Sequence, residues 1–394
     1  MSKAKLYYSD AYLKETQTRI IKRKHEQDAV WITLQSTLFY PGGGGQSRDE
    51  GWINGQRIQA IKHEEDEYWY KIAENPPDDV ILELDWTHRY DKMQQHTGQH
   101  ILSAVFYRIF NIDTLSVHLG QRDTLIELDC SDLSEEQISR AENEANLYIR
   151  QNYQVKAIFI TPGESGNYSI RRDIKQSSAE LRLIQIGDFD CTGCGGTHVR
   201  ATAEVGLIKI LSSEKIRGHI RICSVIGSAA YQYFTDIHNS MRVIGSKLSS
   251  GTVDVPAKID NLLGEIKLLR RDLKSLSNRW LREYARRLEP DDSIGYFIVS
   301  DLTPAEMVQL VQEWLVIYKL PCYVIGRSTN KINFVFGLPA ETNPGADEFL
   351  KNVSDELSLR GGGNAELIQG VIGQTDLSQD YIQLILLKLK EYYT

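Results

Sequence analysis

The amino-acid sequence predicts an α+β protein of several domains: a small N-terminal β-barrel, an α+β domain, a long coiled-coil helix and a small C-terminal α/β domain. Three observations lead to this fold class. The 394 residues exceed the usual size of one hydrophobic core, so about two to four domains are expected. Short alternating apolar runs fill residues 1–88, and a regular heptad pattern spans residues 255–288.

Residues 1–88 are predicted to form a small antiparallel sheet or barrel. The apolar stretches AVWITLQSTLFY and DDVILELDW have the pattern of strands, and the turn signals PGGGG, NG and NPPDD separate such stretches. This segment is therefore expected to be the N-terminal β-barrel-like domain.

Residues 89–240 are predicted to form an α+β domain, because helical and strand-like patterns follow one another over short links. HTGQHILSAVFYRIF has apolar residues at helical spacing, and TLIELDCSDLSEEQISRAENEANLYIRQNY indicates a strand followed by a capped helix. VKAIFIT, VGLIKILS and GHIRICSVIG indicate three further strands.

Residues 241–290 are predicted to form a helical linker with a coiled-coil seam. Its apolar residues recur at alternating spacings of three and four, and they are Ile259, Leu262, Ile266, Leu269, Leu273, Leu276 and Trp280. Between residues 258 and 287, nine Lys or Arg stand against four Asp or Glu, so the helix is basic in an acidic protein. A core helix of an adjacent domain is the alternative interpretation.

Residues 291–394 are predicted to form a separate small α/β domain. The strand-like runs IGYFIVSD, LPCYVIG and INFVFGL alternate with helical patterns such as TPAEMVQLVQEWLVIY and DLSQDYIQLILLKLKEYY. The glycine triplet in RGGGNAELIQG could bring backbone N–H groups close to a ligand, and an ordinary loop is the alternative.

Composition and charge narrow the function. The net charge of −8 speaks against non-specific coating of nucleic acid, although basic patches on an acidic body can hold a nucleic-acid substrate. No apolar run approaches the ~18–20 residues of a membrane span, and the N-terminus has no secretory signal, so we expect a cytoplasmic protein. The five cysteines are odd in number and scattered, which argues against a disulfide framework.

Two short motifs together predict a metal site. His96 and His100 are four residues apart in a helical pattern, which places both imidazoles on one helix face. Cys194 and His198 have the same spacing in the glycine-rich segment DCTGCGGTH. Three imidazole nitrogens and one thiolate form a borderline-soft ligand set that suits tetrahedral zinc, so we expect Zn²⁺ as the cofactor.

Other chemistries are less well supported. A redox pair of Cys191 and Cys194 would require a helix after the C-x-x-C, but Gly195 and Gly196 follow it instead. The helical motif lacks the glutamate of H-E-x-x-H, which disfavours a metalloprotease, and it also lacks the H-x-E of zinc deaminases. Cys191 remains either a spare thiol or a replacement for one of the four ligands.

Four motifs in fixed order resemble one family. FYPGGGGQSRDEG, QQHTGQHILSAVF, VHLGQRDTLIELD and CTGCGGTHV, within residues 37–210, are similar to the free-standing alanyl-tRNA editing proteins and to the matching domain of alanyl-tRNA synthetase. The basic helix and the C-terminal domain resemble the synthetase's C-terminal domain, which indicates the long form of the free-standing editors.

The resemblance implies an activity and a metal site. The implied activity is that of an aminoacyl-tRNA deacylase, a carboxylic ester hydrolase that removes serine, and in some cases glycine, from mischarged alanine tRNA. The implied zinc ligands are His96, His100, Cys194 and His198, which leaves Cys191 outside the site.

The resemblance also implies residues that contact the substrate. Thr37 matches a hydroxyl that the family places in the pocket, and Gln121 matches a glutamine near the substrate, so both are expected to act in catalysis. A strand position for Thr37 and a solvated loop for Gln121 are the alternatives. Gln46, at the end of GGGGQ, is expected to orient the pocket, unless the run is only a hairpin turn.

Three basic residues near the second motif complete the predicted site. Lys209, Arg217 and Arg221 are expected to hold phosphates near the acceptor end of the tRNA, or else to be solvated charges on strands. The basic helix and the end domain are expected to grip the tRNA body or to form a homodimer. A non-catalytic module that binds tRNA or protein around a structural zinc is the rival hypothesis.

Overall fold

The computed structural model describes residues 4–26, 29–65, 67–172, 180–290, 293–328, 331–374 and 377–393. The chain divides into two compact units, Met1–Lys247 and Leu248–Thr394. Both units mix helices with sheets, so the predicted α and β content is confirmed. Among the described residues, no helix has the length and apolar character that crossing a membrane requires.

The first unit begins with an antiparallel sheet. The early elements are β1 (Ala4–Lys5), α1 (Leu6–Ser9), β2 (Glu15–Glu26), β3 (Ala29–Leu34), β4 (Ser36–Thr37), β5 (Gly51–Ile53), β6 (Gln56–Arg57), β7 (Ala60–Glu64), β8 (Glu67–Ile72) and β9 (Asp79–Leu84). Seven of these strands form the sheet, in the order β6-β5-β9-β2-β3-β8-β7. The short strands β1 and β4 pair separately and in parallel. Within the described residues β6 and β7 remain edges of the sheet, so closure into the predicted barrel is not observed.

The rest of the first unit is built around one long helix. Its elements are α2 (Trp86–Phe110), β10 (Thr114–Leu119), β11 (Thr124–Leu128), α3 (Glu135–Arg150), β12 (Val155–Ile160), β13 (Leu181–Ile186), β14 (Asp190–Gly193), β15 (Ile208–Ile216), β16 (His219–Ile226) and α4 (Ser228–Lys247). Four strands form the antiparallel sheet β10-β11-β16-β15, and three form β12-β13-β14.

Helix α2 is buried along most of its length. The Asp85 side chain accepts a hydrogen bond from His88 N and caps the first turn, and Asn111 ends the helix in the left-handed conformation. Ile101, Leu102, Val105 and Phe106 are fully buried in a core that the sheets and α3 share. Since both apolar and polar faces of α2 are enclosed, its polar residues lie inside the protein.

The second unit contains the long helix and a five-stranded sheet. Its elements are α5 (Val255–Arg287), β17 (Gly295–Val299), α6 (Pro304–Tyr318), β18 (Cys322–Ser328), β19 (Lys331–Gly337), α7 (Ala346–Val353), β20 (Leu359–Gly363), β21 (Leu367–Ile372) and α8 (Gln379–Tyr393). The strands of the sheet are in the order β17-β18-β19-β21-β20. The end of α5 packs on α6 through Leu281 and Ala285.

The structure of this unit bears on two sequence predictions, the glycine triplet and the long helix. The glycine triplet at 361–363 lies in strand β20 rather than in a loop, because its backbone pairs closely with β21. A Cβ at Gly363 would overlap the backbone around Leu367, so only glycine fits this pairing. The predicted long helix is present as α5, and much of its apolar seam is exposed in the single chain.

Candidate metal centre

Four side chains meet at one point of the first unit. The ligand atoms of His96, His100, Cys194 and His198 all lie within 4.8 Å of one another. Cys194 Sγ is 3.3 Å from His96 Nε2 and 3.3 Å from His198 Nε2. The structure therefore brings together all four residues that the two motifs predict as metal ligands.

Local sequence explains how the four residues converge. His96 and His100 are one turn apart on α2, while Cys194 and His198 follow β14 in a short loop. The loop passes so close to α2 that a Cβ on Gly196 would meet the His96 ring and lie 2.6 Å from Gln46 Oε1. A glycine is consequently required at position 196, which the spacing of the cysteines and histidines alone does not show.

The rings of His96 and His198 are held by hydrogen bonds on their far sides. His96 Nδ1 is 2.8 Å from Gln46 Oε1, and His198 Nδ1 is 3.1 Å from Thr97 Oγ1. Each contact fixes ring orientation and leaves Nε2 directed at the cluster. Gln46 is itself anchored, because its Nε2 donates to Thr197 Oγ1 at 2.8 Å and its Oε1 accepts from Thr197 N at 3.1 Å.

The glycine run places Gln46 at the cluster. Residues 42–45 all have positive φ, and Gly43 and Gln46 exchange backbone hydrogen bonds of 2.9 and 3.0 Å in a tight turn. Arg89 of α2 holds the flanking segment, since it pairs with Asp49 and donates to Leu38 O at 2.7 Å. The glycine run forms the expected turn, and residues 42–44 line a cavity, whereas Gln46 is not part of that lining. The predicted role of Gln46 in orienting the pocket therefore stays a prediction.

The electrostatics of the cluster suit a cation. Burial lowers the pKa of His96 to about 3, and it lowers the pKa values of His100 and His198 well below the usual range. The three imidazoles are therefore neutral near pH 7, the form that binds metals. Burial also raises the pKa of the Cys194 thiol, and a bound cation would reverse that effect by favouring the thiolate.

A cavity of about 450 Å³ opens beside the cluster. His96, His100 and Cys194 form part of its wall, whereas the lining does not include His198. Its further lining is aromatic, glycine-rich and polar, and comprises Tyr7, Tyr8, Tyr40, Pro41, Tyr68, Gln99, Ser103, Thr114, Val117, Arg171, Arg172, Thr192 and the glycines at 42–44, 193, 195 and 196. A space of this size fits the range of small-molecule pockets.

Arginines that the sequence reading missed surround the metal centre. Arg182 NH1 donates to Cys194 O at 2.6 Å and to Gly196 O at 2.9 Å, so it holds the loop that carries Cys194. Its guanidinium lies 4.7 Å from the centre of the Tyr8 ring. Arg171 and Arg172 line the cavity itself. In the sequence, the adjacent Arg171 and Arg172 in SIRRD were the one local pattern that could have indicated a basic cavity wall. No comparable pattern marks Arg182.

Thr37 and Gln121 lie outside the cavity lining. Thr37 is buried in the N-terminal core, where its Oγ1 accepts hydrogen bonds from Tyr70 OH at 2.8 Å and Phe39 N at 3.1 Å. Gln121 is exposed in the turn between β10 and β11. Their catalytic roles stay predictions, and their positions match the alternatives of a strand residue and a loop residue.

The three predicted phosphate-binding residues lie on the sheet β10-β11-β16-β15. Lys209 Nζ is 2.7 Å from Glu142 Oε1, and Arg221 pairs with Glu127 at 2.7 Å and with Glu214 at 3.3 Å. Arg217 is exposed in the turn between β15 and β16. None of the three lines the cavity, so a role for them in phosphate binding stays a prediction.

Cys191 is separate from the cluster. It lies in β14 and packs against Ile160, Leu181 and Leu183. Burial raises the pKa values of both Cys191 and Cys194, and neither forms a disulfide. These surroundings are those of a structural thiol and not of an activated redox pair.

Comparison with a protein-family model identifies the class of domain around the metal centre. The model described as the threonyl- and alanyl-tRNA synthetase second additional domain matches residues 181–222. This stretch contains Cys194 and His198 and the strands β13 and β14 that lead to them. The match therefore covers the part of the site that carries Cys194 and His198, while His96 and His100 lie outside the matched residues.

Comparison with whole proteins identifies the family. The chain is 30% identical over 388 residues to alanyl-tRNA editing protein AlaX-L of Pyrococcus horikoshii, and the match covers 93% of this chain and 94% of that protein. Alanyl-tRNA editing protein Aarsd1-B of Xenopus laevis is 29% identical over 255 residues, 64% of this chain and 62% of that protein. The chain belongs to the alanyl-tRNA editing protein family, which confirms the resemblance of its motifs.

A solved structure matches a smaller part. The C-Ala domain of Aquifex aeolicus alanyl-tRNA synthetase is 27% identical, with a TM-score of 0.22, and the match covers 24% of this chain and 89% of that domain.

Proposed function

We propose that this protein is an aminoacyl-tRNA deacylase that hydrolyses the ester linking serine, and also glycine, to mischarged alanine tRNA. One observation carries the proposal: in a member of the alanyl-tRNA editing family, three residues of a cluster of three histidines and one cysteine, namely His96, His100 and Cys194, form part of the wall of a cavity. A cavity beside a metal-binding cluster gives the ester a place to react.

The proposed metal is zinc, held by His96, His100, Cys194 and His198. Three neutral nitrogens and one thiolate match the ligands and the tetrahedral number that zinc prefers. The contact between His96 Nδ1 and Gln46 supports this proposal, because histidine ligands usually have a hydrogen-bond partner on the second ring nitrogen. Gln46 is in turn anchored on Thr197.

The chain's own residues would bind and orient the substrate. A zinc ion would supply Lewis-acid polarisation of the ester carbonyl or activation of a water. Arg182 keeps the Cys194 loop against the cavity through its two carbonyl contacts. Arg172 offers a positive charge at the cavity for a phosphate, because its only hydrogen bond among the described residues is a long one to Thr114 O, 3.3 Å.

The aromatic part of the cavity suits the end of a nucleic acid strand. Tyr7, Tyr8, Tyr40 and Tyr68 line it, and aromatic rings provide stacking surfaces for an unpaired base. We therefore place the terminal adenosine against this side and the amino acid near the cluster. Thr37 and Gln121 would then act on the substrate only if binding changes the surroundings of their side chains.

The second unit is proposed to bind the tRNA body and to form a homodimer. On α5, the leucines at 269, 273 and 276 are 58%, 68% and 58% exposed, as expected for a seam that a partner helix would cover. Arg271, Lys274 and other basic residues line an open groove on the same helix. Sedimentation of the wild type and of Leu273→Glu tests the dimer, which the charged variant is expected to dissociate.

Ester hydrolysis tests the proposed function. Seryl, glycyl and alanyl esters of alanine tRNA are incubated with the wild type and with His96→Ala, and folding is checked by circular dichroism. We expect rapid release of serine, slower loss of glycine and persistence of the alanyl ester, with activity lost in the folded variant. Persistence of all three esters with the zinc-loaded wild type would refute the proposal.

The same experiment addresses the rival function, a binding module with structural zinc. The observation in its favour is the presence of four protein ligands, because catalytic zinc usually keeps one position for water or substrate. Tight binding of alanine tRNA without hydrolysis of any ester would support that function.

A further inference from the structure

A polar pair on helix α2 lies in the cavity wall next to the candidate metal ligands. Gln99 and Ser103 follow His96 and His100 on the same face of the helix, at the spacings i, i+3, i+4 and i+7. Gln99 is 5% exposed and Ser103 is fully buried, yet both line the cavity. Buried uncharged polar groups beside a reaction site are suited to selecting a substrate.

The Gln99 amide is held at one end only. Its Nε2 donates to Ser103 Oγ at 2.7 Å, and Ser103 Oγ also accepts from Thr114 Oγ1 at 2.8 Å. Among the described residues no hydrogen bond reaches Gln99 Oε1, and this oxygen is not one of the enclosed unpaired atoms, so it is open to the cavity. The contacts of Ser103 and Thr114 therefore fix the amide and leave one polar end for a ligand in the cavity.

We propose that Gln99 accepts a hydrogen bond from the side-chain hydroxyl of a seryl group esterified to tRNA, and that Ser103 and Thr114 position it. This inference rests on the proposed function and deepens it by naming a residue that selects the amino acid. Gln99 lies one residue from His100 and one turn from His96, so its amide is close to where the amino acid would lie.

The three aminoacyl groups differ in whether they can form a hydrogen bond with the Gln99 side-chain amide. A seryl group supplies a hydroxyl that can pair with Gln99 Oε1. An alanyl group places a methyl there and leaves a buried oxygen unpaired, which a site built for hydrogen bonding rejects more strongly than an apolar wall would. A glycyl group has no side chain and makes no use of Gln99, so glycyl ester is an internal reference.

The test compares kcat/KM for seryl and glycyl esters of alanine tRNA in paired variants. Gln99→Met keeps the length of the side chain and removes both polar ends, and Gln95→Met makes the same change at a buried position of α2 that does not line the cavity. We expect Gln99→Met to lower the seryl-to-glycyl ratio about five- to tenfold, which corresponds to the usual range for loss of one uncharged hydrogen bond. Gln95→Met should leave the ratio within about twofold of the wild type.

A second pair tests the positioning role. Ser103→Ala removes the anchor of the Gln99 amide and is expected to lower the same ratio about threefold, as a weaker effect than loss of the amide. Ser224→Ala, at a fully buried serine outside the cavity lining, is the matched control. Zinc content and the melting temperature are measured for every variant, so that a change of ratio is read only in folded, loaded protein.

The outcomes are distinct. A seryl-to-glycyl ratio that stays within twofold in both Gln99→Met and Ser103→Ala overturns this inference while leaving the deacylase function intact. Should a variant fail to fold, the remaining pair decides. A wild type that hydrolyses none of the esters overturns the proposed function and this inference with it.

Discussion

Replacement of Gln46 by Met is expected to weaken zinc binding without dismantling the fold. Gln46 is 3% exposed, and its Oε1 lies 2.8 Å from Nδ1 of the His96 ring. Loss of such a partner usually reduces metal affinity about 10- to 100-fold, which corresponds to about 1.4–2.7 kcal/mol. The Thr197 N–H and hydroxyl would also lose their partner, at a further cost of about 1–3 kcal/mol in the free energy of unfolding.

Zinc affinity is measured by competition with a chelator, and the free energy of unfolding by denaturant titration of the same samples. Gln95→Met serves as the control, since Gln95 is fully buried on α2 and bonds Asp91 at 2.7 Å. Gln46→Glu retains an oxygen that accepts from both His96 and Thr197 N, so its affinity should remain within about threefold of the wild type. Zinc affinity unchanged in Gln46→Met would refute a role for this contact in orienting the histidine.

Three further predictions concern other parts of the site. Gly196→Ala should abolish high-affinity zinc binding, because its Cβ would overlap the His96 ring; retention of wild-type affinity in a chelator titration would contradict this. Thr37→Val should cost about 1–3 kcal/mol in unfolding free energy by leaving the Tyr70 hydroxyl and a backbone N–H unpaired, and a denaturant titration measures this. Arg172→Gln should raise KM for seryl ester about tenfold with little change in kcat, an effect that shrinks at high salt in steady-state kinetics.

The parts of the site that the sequence predicts are those with short-range spacing. His96 and His100 are paired by helix geometry, and Cys194 and His198 by one short loop, so two local motifs predict the cluster. Contacts between distant segments are not visible in this way. Gln46 meets His96 across 50 residues of chain because a glycine turn and the Arg89–Asp49 pair position it.

In the fold, too, local features are predictable from the sequence, whereas contacts between distant segments are not. Periodicity predicts the helices and most strands, because burial of one face requires it. Periodicity does not determine whether a sheet closes into a barrel, because closure depends on strands elsewhere in the chain. The same holds for the glycine triplet, which pairs with another strand of its sheet. The polar residues Gln99 and Ser103 also carried a helical signal, since they repeat the face of His96 and His100. That signal becomes informative only when the structure shows that this face borders a cavity and not solvent.

The placement of the four candidate metal ligands bears on whether a bound metal would be catalytic. A structural site is normally enclosed by its ligands and their neighbours, so that nothing can approach the ion. Here His96, His100 and Cys194 face the cavity, and the loop that carries Cys194 is glycine-rich and held by Arg182. An ester in the cavity would lie against these three residues, whereas His198 is not part of the cavity lining. This asymmetry favours a metal that takes part in the reaction, and it predicts that substrate binding slows removal of zinc by a chelator. Equal rates of removal with and without a non-hydrolysable seryl-adenosine analogue would favour a structural metal.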